Sequence, residues 1–104
     1  MKKFISHAVA VSIALFSASA FAEKIIIKGS PLVLQKQGEV YVVPETYKVQ
    51  EYQYVEINGV KRACFNDART DFSNVDVVTI NIQMGANKST WNCYAIDANY
   101  FVVQ

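Results

Sequence analysis

The sequence predicts an all-β domain, and three observations support this prediction. Beyond residue 22 the chain holds twelve Val and seven Ile but only two Leu, and β-branched residues favour strands whereas Leu favours helices. Gly, Pro and Asn separate its short apolar stretches. No long stretch has apolar residues at the 3.6-residue period of an amphipathic helix. We therefore expect a small antiparallel β-sandwich or β-barrel of about six to seven short strands.

The beginning of the chain has the pattern of a secretory signal peptide. Two lysines precede an apolar run, and the small residues Ala20 and Ala22 precede Glu23 as a cleavage site requires. An uncleaved anchor is the alternative, because the apolar stretch approaches the roughly 20 residues that span a bilayer. We expect cleavage, with residues 1–22 as the signal peptide and 23–104 as a single β domain in the periplasm or outside the cell.

Composition excludes several function classes for the predicted mature chain. Eight Lys and Arg face nine Asp and Glu, so no basic surplus is available to bind nucleic acid. The one histidine, His7, belongs to the predicted signal peptide. Without it the chain cannot build Ser-His-Asp or Cys-His catalysis or the common histidine zinc sites. We expect no enzyme activity, no cofactor, no metal and no membrane span after cleavage.

Turn residues divide the first half of the domain into short strands. The predicted strands lie at 24–28, 32–35, 39–43 and 47–57. A Gly-Ser-Pro turn separates the first two, and Gly38 leads the second into the third. Pro44 ends the third strand, because proline cannot donate a hydrogen bond to a sheet ladder.

Asn58-Gly59 is the strongest local signal, because these residues tolerate the two positive φ angles of a type I′ hairpin turn. The turn predicts that Ile57 faces Val60 and, by continuation, that Gln53 faces Cys64. Charged and polar residues gather toward the tip and could contact a partner. They are Glu56, Asn58, Gly59, Lys61 and Arg62.

The second half of the domain repeats the pattern of short strands. The predicted strands lie at 60–65, 75–82, 91–96 and 100–103, with polar loops at 66–74 and 84–89. Cys64 and Cys93 are an even pair in an exported chain, which predicts a disulfide. It would tie the end of the hairpin to the penultimate strand. A reactive thiol is the alternative, but the spacing is not C-x-x-C and no histidine activates it.

Aromatic residues are the most suggestive feature for function. Tyr and Trp provide rigid contact area with a polar group, and five of them are candidates for a binding surface: Tyr47, Tyr52, Tyr54, Trp91 and Tyr94. The alternative is cross-strand and core packing, which we favour for Trp91.

Three carboxylates near one loop, Asp67, Asp71 and Asp76, are candidates for acid–base chemistry or a calcium site. Their spacing does not match a calcium loop, and Arg69 between them would repel a cation. A solvated loop is the interpretation that we favour.

These observations lead to three hypotheses of function. The first is a small exported bacterial module that binds a protein or a glycan without catalysis. The second is a periplasmic inhibitor or a subunit of a secreted assembly, which would insert the hairpin tip into a partner's cleft or pair the strand at 100–103 with a neighbour's edge. The third, a carboxylate-dependent hydrolase, has the least support.

Overall fold

The strands form two sheets in the computed structural model, which describes residues 23–104; the predicted signal peptide lies outside the described residues. The strands are Ile25–Ile27 (β1), Leu32–Val33 (β2), Gln35–Gln37 (β3), Val40–Val42 (β4), Gln53–Ile57 (β5), Val60–Phe65 (β6), Val77–Met84 (β7), Asn87–Ala95 (β8) and Phe101–Val103 (β9). A 3₁₀ turn covers Thr70–Phe72. Between residues 23 and 104, no helix has the length and apolar character needed to cross a membrane.

The large sheet has seven strands in the order β2-β5-β6-β8-β7-β4-β3 and is a nearly closed barrel. Its two edge strands belong to one short segment, 32–37. At its beginning this segment pairs with β5, and at its end it pairs with β4. Leu34, between the two strands, is buried, and its N–H donates to the carbonyl of Glu56 at 3.0 Å. The same segment therefore completes both edges of the sheet.

The prediction of a small all-β domain with one disulfide is confirmed, and of the two predicted architectures the structure is the barrel. The pairing is mixed where we expected only antiparallel strands. Three pairs are parallel, β1 with β9, β2 with β5 and β4 with β7. These pairs join strands that are distant in sequence, so no hairpin turn could indicate their direction.

The β5–β6 hairpin has the predicted register. Ile57 lies opposite Val60 and Gln53 lies opposite Cys64. The φ angles of Asn58 and Gly59 are 52° and 81°, as a type I′ turn requires.

Two predicted elements differ from the structure. Residues 47–52, predicted as the start of a long strand, lie in a loop before β5. The predicted loop at 84–89 is instead a hairpin, in which Met84 lies opposite Asn87 and β8 continues to Ala95. The polar residues at the beginning of β8 are exposed. They can still form a strand, because the hydrogen bonds of a sheet join backbone groups and do not require apolar side chains at solvated positions.

The large sheet buries both faces. The inner face forms the barrel core, which consists of Leu34, Val43, Val55, Ile57, Cys64, Ile80, Ile82, Trp91 and Cys93. On the outer face, the small sheet of β1 and β9 and the 3₁₀ turn cover a second core. Its members are Ile27, Tyr54, Ala63, Phe65, Phe72, Val75, Tyr94 and Phe101.

The predicted disulfide joins Cys64 and Cys93, which lie directly opposite each other on β6 and β8 with a Cα–Cα distance of 3.9 Å. Both residues are fully buried in the barrel core. The bond therefore links the two strands from inside the barrel.

Replacing both cysteines with alanine should lower the free energy of unfolding by roughly 3–4 kcal/mol, because the bond closes a loop of 29 residues in the unfolded chain. Urea unfolding of the variant and the oxidised parent tests this. Reductant added during unfolding should destabilise the parent and leave the variant unchanged. A variant with the parent's unfolding midpoint would contradict the prediction.

Candidate functional site

The structure separates the five candidate aromatic residues into two groups. Trp91 is 2% exposed in the barrel core, and Tyr94 and Tyr54 are buried in the outer core. The phenol oxygen of Tyr94 accepts a hydrogen bond from the backbone N–H of Arg69 at 2.7 Å. Only Tyr47 and Tyr52 are half-buried, with surface left for a partner.

Tyr47 and Tyr52 line a cavity of about 380 Å³, the tyrosine cleft, near the start of β5. Pockets of about 300–1,000 Å³ are typical of small-molecule sites. The lining residues are Lys28, Ser30, Pro31, Leu32, Tyr47, Gln50, Tyr52 and Tyr54. The cleft thus contains three of the five candidate aromatic residues, Tyr47, Tyr52 and Tyr54. It also contains residues that no sequence pattern indicates, Lys28 and Gln50 among them.

Gln53 holds the loop that carries Tyr47. The phenol of Tyr47 donates to Oε1 of Gln53 at 2.9 Å. The side-chain amide of Gln53 donates to the carbonyl of Gln50 at 2.5 Å, and the N–H of Gln50 donates back to Oε1 at 3.2 Å. Gln53 is 2% exposed. Its one signal in the sequence is that the predicted hairpin register places this polar residue opposite Cys64.

Tyr52 is held by the small sheet and by the outer core. Its phenol donates to the carbonyl of Ile26 in β1 at 2.6 Å, and its ring lies 6.4 Å from the ring of Phe65. Burial raises the pKa of Tyr47 above its usual value, and Tyr52 adds to the effect. Because the Tyr47 phenol donates to Gln53 and the Tyr52 phenol donates to Ile26, both phenol hydrogens are engaged within the protein. Their oxygens can therefore only accept hydrogen bonds from a ligand.

A second cavity of about 420 Å³, the hairpin pocket, lies between the β3–β4 and β5–β6 hairpins and β7. Asn58 and Arg62 of the predicted hairpin tip line it, together with the exposed Val60 and Val78.

The predicted tip residues differ in their accessibility. Asn58, Gly59 and Lys61 are exposed and Glu56 is half-buried. Arg62 is buried, and its guanidinium donates to the carbonyl of Cys93 at 3.2 Å and to Asp76 at 2.8 Å. The Arg62 side chain therefore contacts other residues of the barrel and is not an accessible part of the hairpin tip.

Two of the three candidate carboxylates form ion pairs. Asp76 pairs with Arg62, and Asp71 accepts two bonds from Arg69, at 2.6 and 3.0 Å, which lower the pKa of the Asp71 carboxyl. The same guanidinium lies over the rings of Phe65 and Phe72. Asp67 is exposed. Residues 23–104 contain no cluster of three or more His, Cys, Asp or Glu that could hold a metal ion.

Comparison of the chain with protein-family models, curated proteins and solved structures finds no match. The hairpin pocket has one half-buried tyrosine, Tyr41, among aliphatic, polar and charged side chains, whereas the tyrosine cleft has two half-buried tyrosines whose phenols are held by hydrogen bonds. The tyrosine cleft is the stronger candidate site.

Replacing Tyr52 with phenylalanine should lower the pKa of Tyr47 toward its usual value without reaching it, because burial, the larger cause, remains. The stability that the neutral Tyr47 phenol contributes is complete below about pH 10 and is lost as the pH rises through the folded-state pKa. NMR titration of the tyrosine ring carbons measures the pKa of Tyr47 in the parent and in Tyr52→Phe. Tyr41→Phe, which alters the hairpin pocket, is the control, and an unchanged Tyr47 pKa in Tyr52→Phe would refute the coupling.

Proposed function

We propose that this protein is a small exported bacterial binding module that recognises a glycan in the tyrosine cleft without catalysis. One observation carries the proposal: two half-buried tyrosines line a single cleft, and each is held by a hydrogen bond from its phenol. The exposed ring surface can stack on the apolar C–H face of a sugar. The phenol oxygens can accept bonds from its hydroxyl groups.

The geometry around the rings supports recognition by a preformed site. Gln53 ties Tyr47 to its loop, while Ile26 and Phe65 hold Tyr52. Side chains that are already ordered lose less conformational entropy when a ligand binds. The exposed Ser30 and Gln50 add side-chain hydrogen-bond donors at the rim.

Replacing Tyr47 with alanine should reduce glycan affinity about tenfold or more, as expected when an anchoring aromatic side chain is removed. A glycan array identifies the ligand, and calorimetry measures the affinity. Tyr41→Ala is the matched control, because Tyr41 is also half-buried against the barrel core but lines the hairpin pocket. Equal losses in both variants, or none in Tyr47→Ala, would contradict the proposal.

A second candidate function is that of a subunit in a secreted assembly, and the outer edge of β9 favours it. The bonds from Ile25 N–H to the carbonyl of Tyr100, and from Gln104 N–H to the carbonyl of Ile27, set the ladder between β1 and β9. In this ladder the backbone groups of Phe101 and Val103 point away from β1. Such an edge can add a strand from a second copy, with Val103 N–H donating to the Phe101 carbonyl of the copy.

Replacing Val103 with proline should abolish this pairing, because the substitution removes the N–H that points away from β1. Sedimentation across a concentration series should show a weak dimer for the parent and a monomer for Val103→Pro, with similar unfolding temperatures. Val60→Ala, a change at an exposed valine of the hairpin, should leave the dimer intact. A parent that stays monomeric at all concentrations would rule out this assembly.

A further inference from the structure

The tyrosine cleft has an uneven distribution of charge. Lys28 is the one lining residue with a formally charged side chain, and no Asp or Glu is among the lining residues. Lys28 is exposed, and among residues 23–104 it has no ion-pair partner. An anionic group in the cleft would therefore meet one free cation and no lining carboxylate.

The fold brings Lys28 to the rings through the small sheet. Lys28 directly follows β1, and the chain then turns at Gly29, whose φ is 82°. The phenol of Tyr52 donates a hydrogen bond to the carbonyl of Ile26, which joins β1 to Tyr52. Ile26 lies only two residues before Lys28. Lys28 and the two tyrosines thus line one cleft, although 24 positions separate Lys28 from Tyr52 in the sequence.

The hydrogen-bonding groups that remain for a ligand favour the same conclusion. Because the phenols of Tyr47 and Tyr52 donate within the protein, the side-chain donors left among the lining residues are Lys28, Ser30, Gln50 and Tyr54. The phenol oxygens suit sugar hydroxyls, which can donate. A carboxylate can only accept, and the ammonium group is the donor that also offers opposite charge.

We propose that the tyrosine cleft takes a sugar that bears a carboxylate, with its ring against Tyr47 and Tyr52 and its carboxylate on Lys28. This inference rests on the proposed glycan-binding function and adds the class of sugar to it. Since Lys28 is exposed, the expected gain over the neutral sugar is modest, about threefold to fivefold, and it should weaken as salt is added.

The test compares matched sugars that differ only in oxidation at C6, such as methyl glucuronide and methyl glucoside, presented with other acidic and neutral pairs on an array. For the exported protein we expect tighter binding of the acidic member. Lys28→Gln should remove this preference, whereas Lys28→Arg should retain it. Lys36→Gln, at an exposed lysine of the hairpin pocket, should leave the preference unchanged.

The outcomes distinguish this inference from the function on which it rests. Equal binding of acidic and neutral members, or a preference that survives in Lys28→Gln, would overturn the role of Lys28 and leave the glycan-binding function standing. Loss of both affinities in Tyr47→Ala would support that function independently of charge. If no sugar on the array binds, both proposals fail together.

Discussion

The fold depends on the cross-strand bond between Cys64 and Cys93. The two residues lie directly opposite each other, and side chains alternate between the faces of a sheet, so this one pair determines which residues of β6 and β8 face inward. Trp91 then points into the barrel, while Ala63 and Tyr94 point toward the small sheet. A slip of one residue would separate the sulfur atoms and move both sets of side chains to the wrong face. Both cores therefore follow from one register.

Closure of the barrel explains where the surface features lie. The segment 32–37 completes both edges of the large sheet, which leaves β9 in the small sheet with an outward edge. The small sheet packs on the outer face through Ile27 and Phe101. At its margin the end of β1 meets the start of β5, and the tyrosine cleft forms at this junction. A cleft between separately paired strands can combine groups that no single strand could present.

The parts of the fold that sequence reasoning predicted well are those governed by local rules. Asn58-Gly59 determines a two-residue turn, and the register of β5 and β6 follows from it without any knowledge of the remaining chain. The polar beginning of β8 was missed, because its pairing with β7 depends on backbone hydrogen bonds and not on side-chain pattern. Residues 47–52 have strand-like composition, yet they form a loop held by the buried side chain of Gln53.

The sequence by itself determined the all-β class, the disulfide and the hairpin register, because β-branched composition, an isolated cysteine pair and an Asn-Gly turn act locally or have one plausible outcome. It also indicated tyrosines as the residues of interest. Only the tertiary structure decided which of them remain accessible. Tyr52 and Tyr54 share one face of the same segment, but the outer core buries Tyr54 while Tyr52 lies at its margin beside Lys28. Burial depends on which distant strand covers a residue, and the parallel pairing of β1 with β9 leaves no local signal of that choice.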